Sequence, residues 1–223
     1  ISVRNCTLEG NHGKTLTASG YAVARIDLAG LLVRGNVSTT SAVTARAFGS
    51  SYVSISNATI AQNRVGRGAV DTFAQQALGT SGLRMDNSIV WANVVGGVSD
   101  YDAQFIHFGH TGPGSIRNSV VGDYTGNTLL TGTVGLDPLF IHESGPDGVP
   151  GTLDEDLRLR AGSPAVDSGD NAQVLGSLTQ DLDGRPRRAD DPGTPDTGRG
   201  TSPVVDRGAF ERSWGDLRAG GFV

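Results

Sequence analysis

The sequence has little of several things that define common protein classes. Of its 223 residues one is a cysteine, Cys6, so an internal disulfide framework is excluded. No apolar run approaches the ~20 residues that a membrane-spanning helix needs, and the sequence predicts no transmembrane segment. Aromatic residues are also sparse, with 7 Phe, 4 Tyr and 2 Trp. A thick core built on bulky side chains is therefore not expected.

The sequence also lacks an excess of positive charge. Eighteen lysine and arginine residues stand against 23 aspartate and glutamate residues, which gives a formal net charge of −5. Proteins that bind the nucleic-acid backbone carry a basic patch or stripe, often with a basic balance overall. We therefore expect no nucleic-acid partner.

Turn-forming residues are abundant. The chain has 33 glycines, and no long window shows the periodicity of an amphipathic helix. Short stretches of alternating apolar and polar residues between turns are typical of all-β proteins. The length is sufficient for one large domain with a core of its own.

A repeat accounts for these short stretches. Each repeat places apolar residues four and two positions before an asparagine, a third apolar residue three positions after it, and a second asparagine six positions after it. Successive repeats are offset by 25, 27, 30 and 31 residues. The five repeats are ISVRNCTLEGN (1–11), IDLAGLLVRGN (26–36), VSISNATIAQN (53–63), LRMDNSIVWAN (83–93) and GSIRNSVVGDY (114–124).

This pattern predicts an all-β protein, a right-handed parallel β-helix. Each repeat would form one coil, coils would stack ~4.8 Å apart, and the apolar columns would point inward. The sequence predicts about five visible coils over residues 1–134, followed by an irregular C-terminal capping region over residues 135–223 that covers the last coils. Because Ile1 is not a methionine and enters directly into the pattern, we expect the chain to be the C-terminal part of a longer protein.

The two asparagine columns are predicted to be structural. Asparagine tolerates the left-handed backbone of a sharp turn, and stacked amides can hydrogen-bond from coil to coil. Gly30 replaces asparagine in the first column and Tyr124 replaces it in the second. The predicted ladder residues are Asn5, Asn57, Asn87 and Asn118 in the first column, and Asn11, Asn36, Asn63 and Asn93 in the second.

Motifs in the second half carry a family resemblance. The stretches NSIVWAN, DPLF, DLRLRAGSPAVDSGDN, DLDGRPRR and VVDRGAFE resemble the choice-of-anchor Q type of bacterial β-helix protein, which has a pectate-lyase-like fold. The resemblance implies a secreted or cell-surface protein with a separate envelope anchor, and most members of that family have no assigned activity. No anchor is recognisable in this chain.

An acidic loop is a candidate cation site. In PDGVPGTLDEDLRL, the carboxylates of Asp147, Asp154 and Asp156 alternate with turn-forming glycines, and hard oxygen ligands at short intervals suit Ca²⁺. The alternative is a set of Asx-turns without an ion. Ca²⁺ is the one cofactor that the sequence suggests.

The outward face of the predicted strands supplies the candidate ligand-binding residues Arg84, Asp86, Trp91 and Arg117. A glycoside hydrolase needs two carboxylates ~5–10 Å apart. Asp27 and Asp86 are the outward acids, but they lie two coils apart in different columns. We therefore predict no catalytic residue in this chain.

The sequence leaves three functions open. The first is an extracellular or envelope-associated scaffold that presents loops to a polysaccharide or a partner protein. The second is a polysaccharide lyase or glycoside hydrolase whose catalytic residues lie in upstream coils. The third is an accessory subunit of a surface assembly, with the cap or the 94–113 loop as its contact through Tyr101, Phe105 and Phe108.

Overall fold

The fold is a parallel β-solenoid, seen in a computed structural model that describes residues 1–20, 25–48, 52–75, 82–106, 115–123 and 131–213. The helices are α1 (Tyr101–Gln104) and a 3₁₀ turn at Asn171–Gln173. The strands are β1 (Ser2–Glu9), β2 (Leu16–Gly20), β3 (Arg25–Arg34), β4 (Val37–Ser38), β5 (Val43–Phe48), β6 (Tyr52–Ser56), β7 (Thr59–Ala61), β8 (Arg64–Val65), β9 (Val70–Gln75), β10 (Gly82–Asp86), β11 (Ile89–Trp91), β12 (Val94–Val95), β13 (Phe105–Ile106), β14 (Ser115–Arg117), β15 (Val120–Val121), β16 (Phe140–His142) and β17 (Asp156–Leu159).

Three parallel sheets form the solenoid. The first contains β1, β3, β6, β7, β10, β11, β14 and β15; the second contains β4, β8 and β12; the third contains β2, β5, β9 and β13. Strands β16 and β17 form a separate antiparallel pair. Neither described helix is long and apolar enough to cross a membrane.

The solenoid has about three turns, fewer than the five predicted. Among the described residues, the second, third and fourth repeats contribute strands to all three sheets. The first repeat reaches the second sheet only through the bridge between His12 and Val37. The fifth contributes β14 and β15 to the first sheet, and residues 124–130 that follow lie outside the described part. The sequence pattern counts only the repeats that form the first sheet, whereas a complete turn also needs one strand in the second sheet and one in the third.

The apolar columns have the predicted register. Strand pairing aligns Leu28, Ile55, Met85 and Ile116 in one column and Val33, Ile60, Val90 and Val121 in another. All eight are buried in one core cluster. Period-2 alternation places these side chains on one face of the sheet, so stacking the rungs without a gap makes a continuous core.

The C-terminal region lies along the side of the solenoid rather than over its last coils alone. Its apolar residues pack on the outward face of the first sheet and form a second core. That core contains Leu32, Ala61, Ile89 and Val120 from the solenoid and Phe140, Leu157, Leu159, Ala165, Val166 and Ala209 from the C-terminal region.

The first asparagine column binds the C-terminal region along the side of the solenoid, here called the side region, instead of forming a ladder. Asn5, Asn57, Asn87 and Asn118 have φ of 46°, 49°, 49° and 46°, which is the left-handed turn that the sequence predicts. The side-chain amides of three of them donate to C-terminal carbonyls: Asn5 to Gln180 at 3.4 Å, Asn57 to Asp206 at 3.3 Å and Asn87 to Asp170 at 3.0 Å. Because these side chains point outward to the neighbouring segment, they do not bond to one another.

The second asparagine column is a continuous ladder. Each Nδ2 donates to the next side-chain oxygen: Asn11 to Asn36 at 2.9 Å, Asn36 to Asn63 at 2.8 Å and Asn63 to Asn93 at 2.8 Å. Asn93 then donates to Gln104 Oε1 of α1 at 2.8 Å. The ladder therefore ends on a buried glutamine; Tyr124, the residue that the alignment places there, lies outside the described residues.

Candidate functional site

A cleft opens where the outward face of the first sheet meets the 3₁₀ turn and the segment that follows it. Its volume is about 380 Å³, and residues 172–176 form its far wall. The side chains that give it chemical character are Arg25, Tyr52, Ser54, Arg84, Asp86 and Gln173.

Strand alternation positions these side chains. Ile26, Val53, Ile55 and Met85 point into the solenoid core, so the residues between them point outward. Parallel pairing then places Arg25 beside Tyr52, Ser54 beside Arg84 and Ser56 beside Asp86. Three successive rungs thus build one wall of the cleft.

Asp86 is the most perturbed group in the cleft. It is 2% exposed, and it accepts hydrogen bonds from Arg84 Nε and, at 3.0 Å, from Arg117 Nε. The pKa of Asp86 is raised to about 6: burial is the largest cause, the charge of Asp170 acts in the same direction, and Arg84 acts against both. The cost of removing the carboxylate from water therefore exceeds the attraction of its partners.

The arginines are oriented by their neighbours. Arg84 also donates to the side chain of Gln173, which joins the sheet to the 3₁₀ turn. Arg25 pairs with Asp27 at 2.8 Å and lies 5.7 Å from the centre of the Tyr52 ring. Burial raises the pKa of the Tyr52 hydroxyl, which therefore stays protonated at neutral pH.

Two of the four predicted ligand-binding residues line the cleft and two do not. Arg84 and Asp86 line it, and Arg117 lies one rung further and contacts it through Asp86. Trp91 does not line it. Its ring packs against the second core, and its Nε1 donates to Glu143 at 2.9 Å.

The predicted calcium loop does not gather its three carboxylates. Asp147 Oδ1 accepts from the Val149 backbone, Asp154 accepts from Thr152 and from the Asp147 backbone, and Asp156 pairs with Arg158. Asp147 and Asp154 thus belong to turns, while Asp156 lies in β17. Among the described residues, the three carboxylates that do converge belong to other aspartates of the C-terminal region.

The cleft offers hydrogen bonding rather than a pair of catalytic acids. Asp27 and Asp86 lie two rungs apart and two positions apart along the strands, which corresponds to roughly 12 Å from rung and residue spacings. Glycoside hydrolysis needs carboxylates closer than that.

Of the 94–113 loop, residues 107–113, including Phe108, lie outside the described part.

Several cleft residues were not among those predicted from the sequence. Arg25 and Tyr52 each lie five positions before the first-column residue of their repeat, so extending the alignment outward by one residue would have found them. Gln173 belongs to a region without repeats and carries no such signal.

Comparisons with known proteins leave the family open. No family model, no curated protein and no solved structure matches this chain.

Proposed function

We propose that this protein is an extracellular or envelope-associated β-solenoid scaffold that binds a polysaccharide in the cleft around Arg84. The observation that carries the proposal is the composition of the cleft on the outward strand face. Arginine, aspartate, glutamine and serine side chains lie beside the ring of Tyr52. Paired donors and acceptors suit vicinal hydroxyl groups, and an aromatic ring suits the apolar face of a sugar.

The charge around the cleft favours a neutral, hydroxyl-rich chain over a strongly anionic one. Arg25, Arg84 and Arg117 supply three positive charges. Asp27 and Asp86 neutralise two of them through ion pairs, and Asp170 is close enough to raise the pKa of Asp86. A strongly anionic polysaccharide would need an excess of free arginine charge.

The extracellular location rests on a different argument. The motifs DPLF, DLRLRAGSPAVDSGDN and VVDRGAFE resemble the choice-of-anchor Q type of β-helix protein, whose members are secreted or displayed on bacterial surfaces. A parallel solenoid is also a rigid support for an extended binding surface. Membership in that family remains part of the proposal.

Calorimetric titration with a panel of neutral and acidic polysaccharides tests the binding. We expect a neutral glycan to bind, and Arg84→Gln to weaken it by about 10-fold or more, because one charge-assisted hydrogen bond contributes ~1.5–3 kcal/mol. Arg67→Gln is the matched control, since Arg67 is exposed in the turn between β8 and β9. The proposal fails if no glycan binds, or if both variants weaken binding equally.

A catalytic function has one observation in its favour. A carboxyl group with a pKa near 6, such as that of Asp86, has the property of a general acid at neutral pH. The same glycan panel, followed for reducing ends and for the ultraviolet absorbance of unsaturated products, tests hydrolase and lyase activity. Product formation that Asp86→Asn abolishes would replace the scaffold proposal with an enzyme.

A further inference from the structure

Three aspartates from separate parts of the C-terminal region bring their carboxylates together. One carboxylate oxygen each of Asp167, Asp190 and Asp196 lies within 4.8 Å of the other two. Asp167 is fully buried, whereas Asp190 and Asp196 are exposed. Proximity of acidic groups is common on protein surfaces, and what distinguishes this group is the buried Asp167.

Asp167 has a buried carboxylate without a donor. Both of its side-chain oxygens are inaccessible to solvent, and neither has a hydrogen-bond partner among the described residues. Its neighbours are satisfied: Asp191 accepts from Arg212 at 2.8 Å, and Asp206 accepts from the Asp167 and Arg212 backbones at 2.7 and 2.6 Å. A buried carboxylate without a partner costs several kcal/mol, so its two free oxygens indicate a missing ligand.

The backbone holds Asp167 in place. The residue has a φ of 48°, in the left-handed region that aspartate adopts more readily than most residues other than glycine. Its carbonyl accepts from the N–H groups of Thr197 and Gly198 at 2.9 and 3.0 Å, which fixes Asp196 beside it. The backbones of Asp167 and Asp196 are therefore held side by side.

The group carries uncompensated negative charge. Burial is the largest cause that raises the pKa of Asp167 to about 7, and the charges of Asp196 and Asp190 act in the same direction. The backbone N–H of Asp191 lies close enough to lower that pKa in part, but it does not form a hydrogen bond of normal geometry with either oxygen. Arg212, whose backbone N–H bonds Asp206, pairs its side chain with Asp191. A cation at this point would replace the missing donors.

We propose that Asp167, Asp190 and Asp196 form a binding site for a divalent cation that prefers oxygen ligands, with Ca²⁺ favoured over Mg²⁺. Ca²⁺ accepts six to eight oxygen ligands in irregular geometry, and carboxylates can contribute two oxygens each. The exposed side of the group leaves room for water to complete the shell. Mg²⁺ demands near-ideal octahedral geometry, which three carboxylates from two separate segments are poorly placed to supply.

The site would join two segments of the side region. Asp167 follows Ala165 and Val166, which pack in the second core against the solenoid, whereas Asp190 and Asp196 belong to the loop before Val204. A bound cation would thus fasten this loop to the segment that rests on the first sheet. It lies apart from the Asp147–Asp156 loop, where the carboxylates are used in turns and an ion pair.

Calorimetric titration of the EDTA-treated, dialysed protein with CaCl₂ and separately with MgCl₂ tests the proposal, with thermal unfolding in parallel. We expect Ca²⁺ to bind with a stoichiometry of one, to bind more tightly than Mg²⁺ and to raise the unfolding midpoint. Asp190→Asn and Asp196→Asn change exposed residues that should not affect folding. We expect each to weaken Ca²⁺ binding by at least 10-fold, and Asp167→Asn to abolish it even where its apo form folds normally.

Asp147→Asn is the matched control and should bind Ca²⁺ as tightly as the unaltered protein. The competing arrangement is a protonated Asp167 that shares its proton with a neighbouring carboxylate and binds no cation. In that case Ca²⁺ and EDTA leave the unfolding midpoint of every variant unchanged, and the proposal is overturned. It is also overturned if Asp147→Asn removes binding while Asp190→Asn and Asp196→Asn retain it.

Discussion

Replacing Asn63 with alanine tests the asparagine ladder at one of its fully buried members. Asn63 is fully buried. Its Nδ2 donates to Asn93 Oδ1 at 2.8 Å and to the carbonyls of Val33 and Ala61 at 3.0 Å each. Its Oδ1 accepts from the backbone and side-chain nitrogens of Asn36 at 3.1 and 2.8 Å. One side chain thus satisfies polar groups of three rungs.

The size of the effect follows from the donors that Asn63→Ala would leave without an acceptor. The backbone N–H of Asn36 and one hydrogen of its side-chain amide would both lose Asn63 Oδ1. Each buried unsatisfied donor costs ~1–3 kcal/mol. We therefore expect the free energy of unfolding to fall by about 2–6 kcal/mol, a large part of the ~5–15 kcal/mol of a typical domain.

Urea unfolding followed by circular dichroism measures this loss, and Asn11→Ala provides the comparison. Asn11 lies at the exposed end of the ladder, and Asn36 Oδ1 keeps a bond from the Asn11 backbone at 2.9 Å after the truncation. We expect that variant to lose less than about 1 kcal/mol. If the two variants lose the same amount, or if Asn63→Ala loses under about 1.5 kcal/mol, the ladder is not a major source of stability.

Two further predictions concern the side region and the cleft. Gly208→Ala should destabilise the protein by ~2–4 kcal/mol, because an added Cβ would lie 2.7 Å from Thr59 Oγ1. Gly184 is also at positive φ but has nothing within 4 Å of an added Cβ, so Gly184→Ala should cost clearly less. Equal losses in urea unfolding would show that the close approach at Gly208 is unimportant. The raised pKa of Asp86, about 6, means that the folded state retains a proton that the unfolded state has released. The stability of the protein relative to Asp86→Asn should therefore fall by roughly 2–3 kcal/mol as the pH rises from about 4 to about 6 and then level off. If thermal or urea unfolding shows that this relative stability increases over the same pH range, the two arginines outweigh burial.

The solenoid could be predicted from the sequence because its rules are local and repeated. An inward position such as Ile55 must be apolar in every rung, and a left-handed turn such as that at Asn57 admits few residue types. Both constraints recur at intervals short enough to align without gaps. Parallel stacking then fixes the register of every column at once.

The position of the C-terminal region could not be predicted in the same way. It binds the solenoid through backbone carbonyls, as in the bond from Asn57 to Asp206, which are 149 positions apart. Every residue has a backbone carbonyl, so such a contact does not restrict which residue type supplies it and cannot be recognised in the sequence. The acidic group has the same difficulty, because the sequence shows many aspartates but not that Asp167 is the one buried without a donor.

The side region also has a consequence for how the protein unfolds and is made. Solenoids generally come apart repeat by repeat, because each repeat contacts only its neighbours. Here one polypeptide segment contacts the first repeat through Gln180, the third and fourth through Asp206 and Asp170, and the fifth through Arg207. Loss of any one repeat would therefore weaken the attachment of the rest, and we expect a single cooperative transition. Since this segment is synthesised after the repeats, the early repeats must wait until it has left the ribosome before they acquire their full stability.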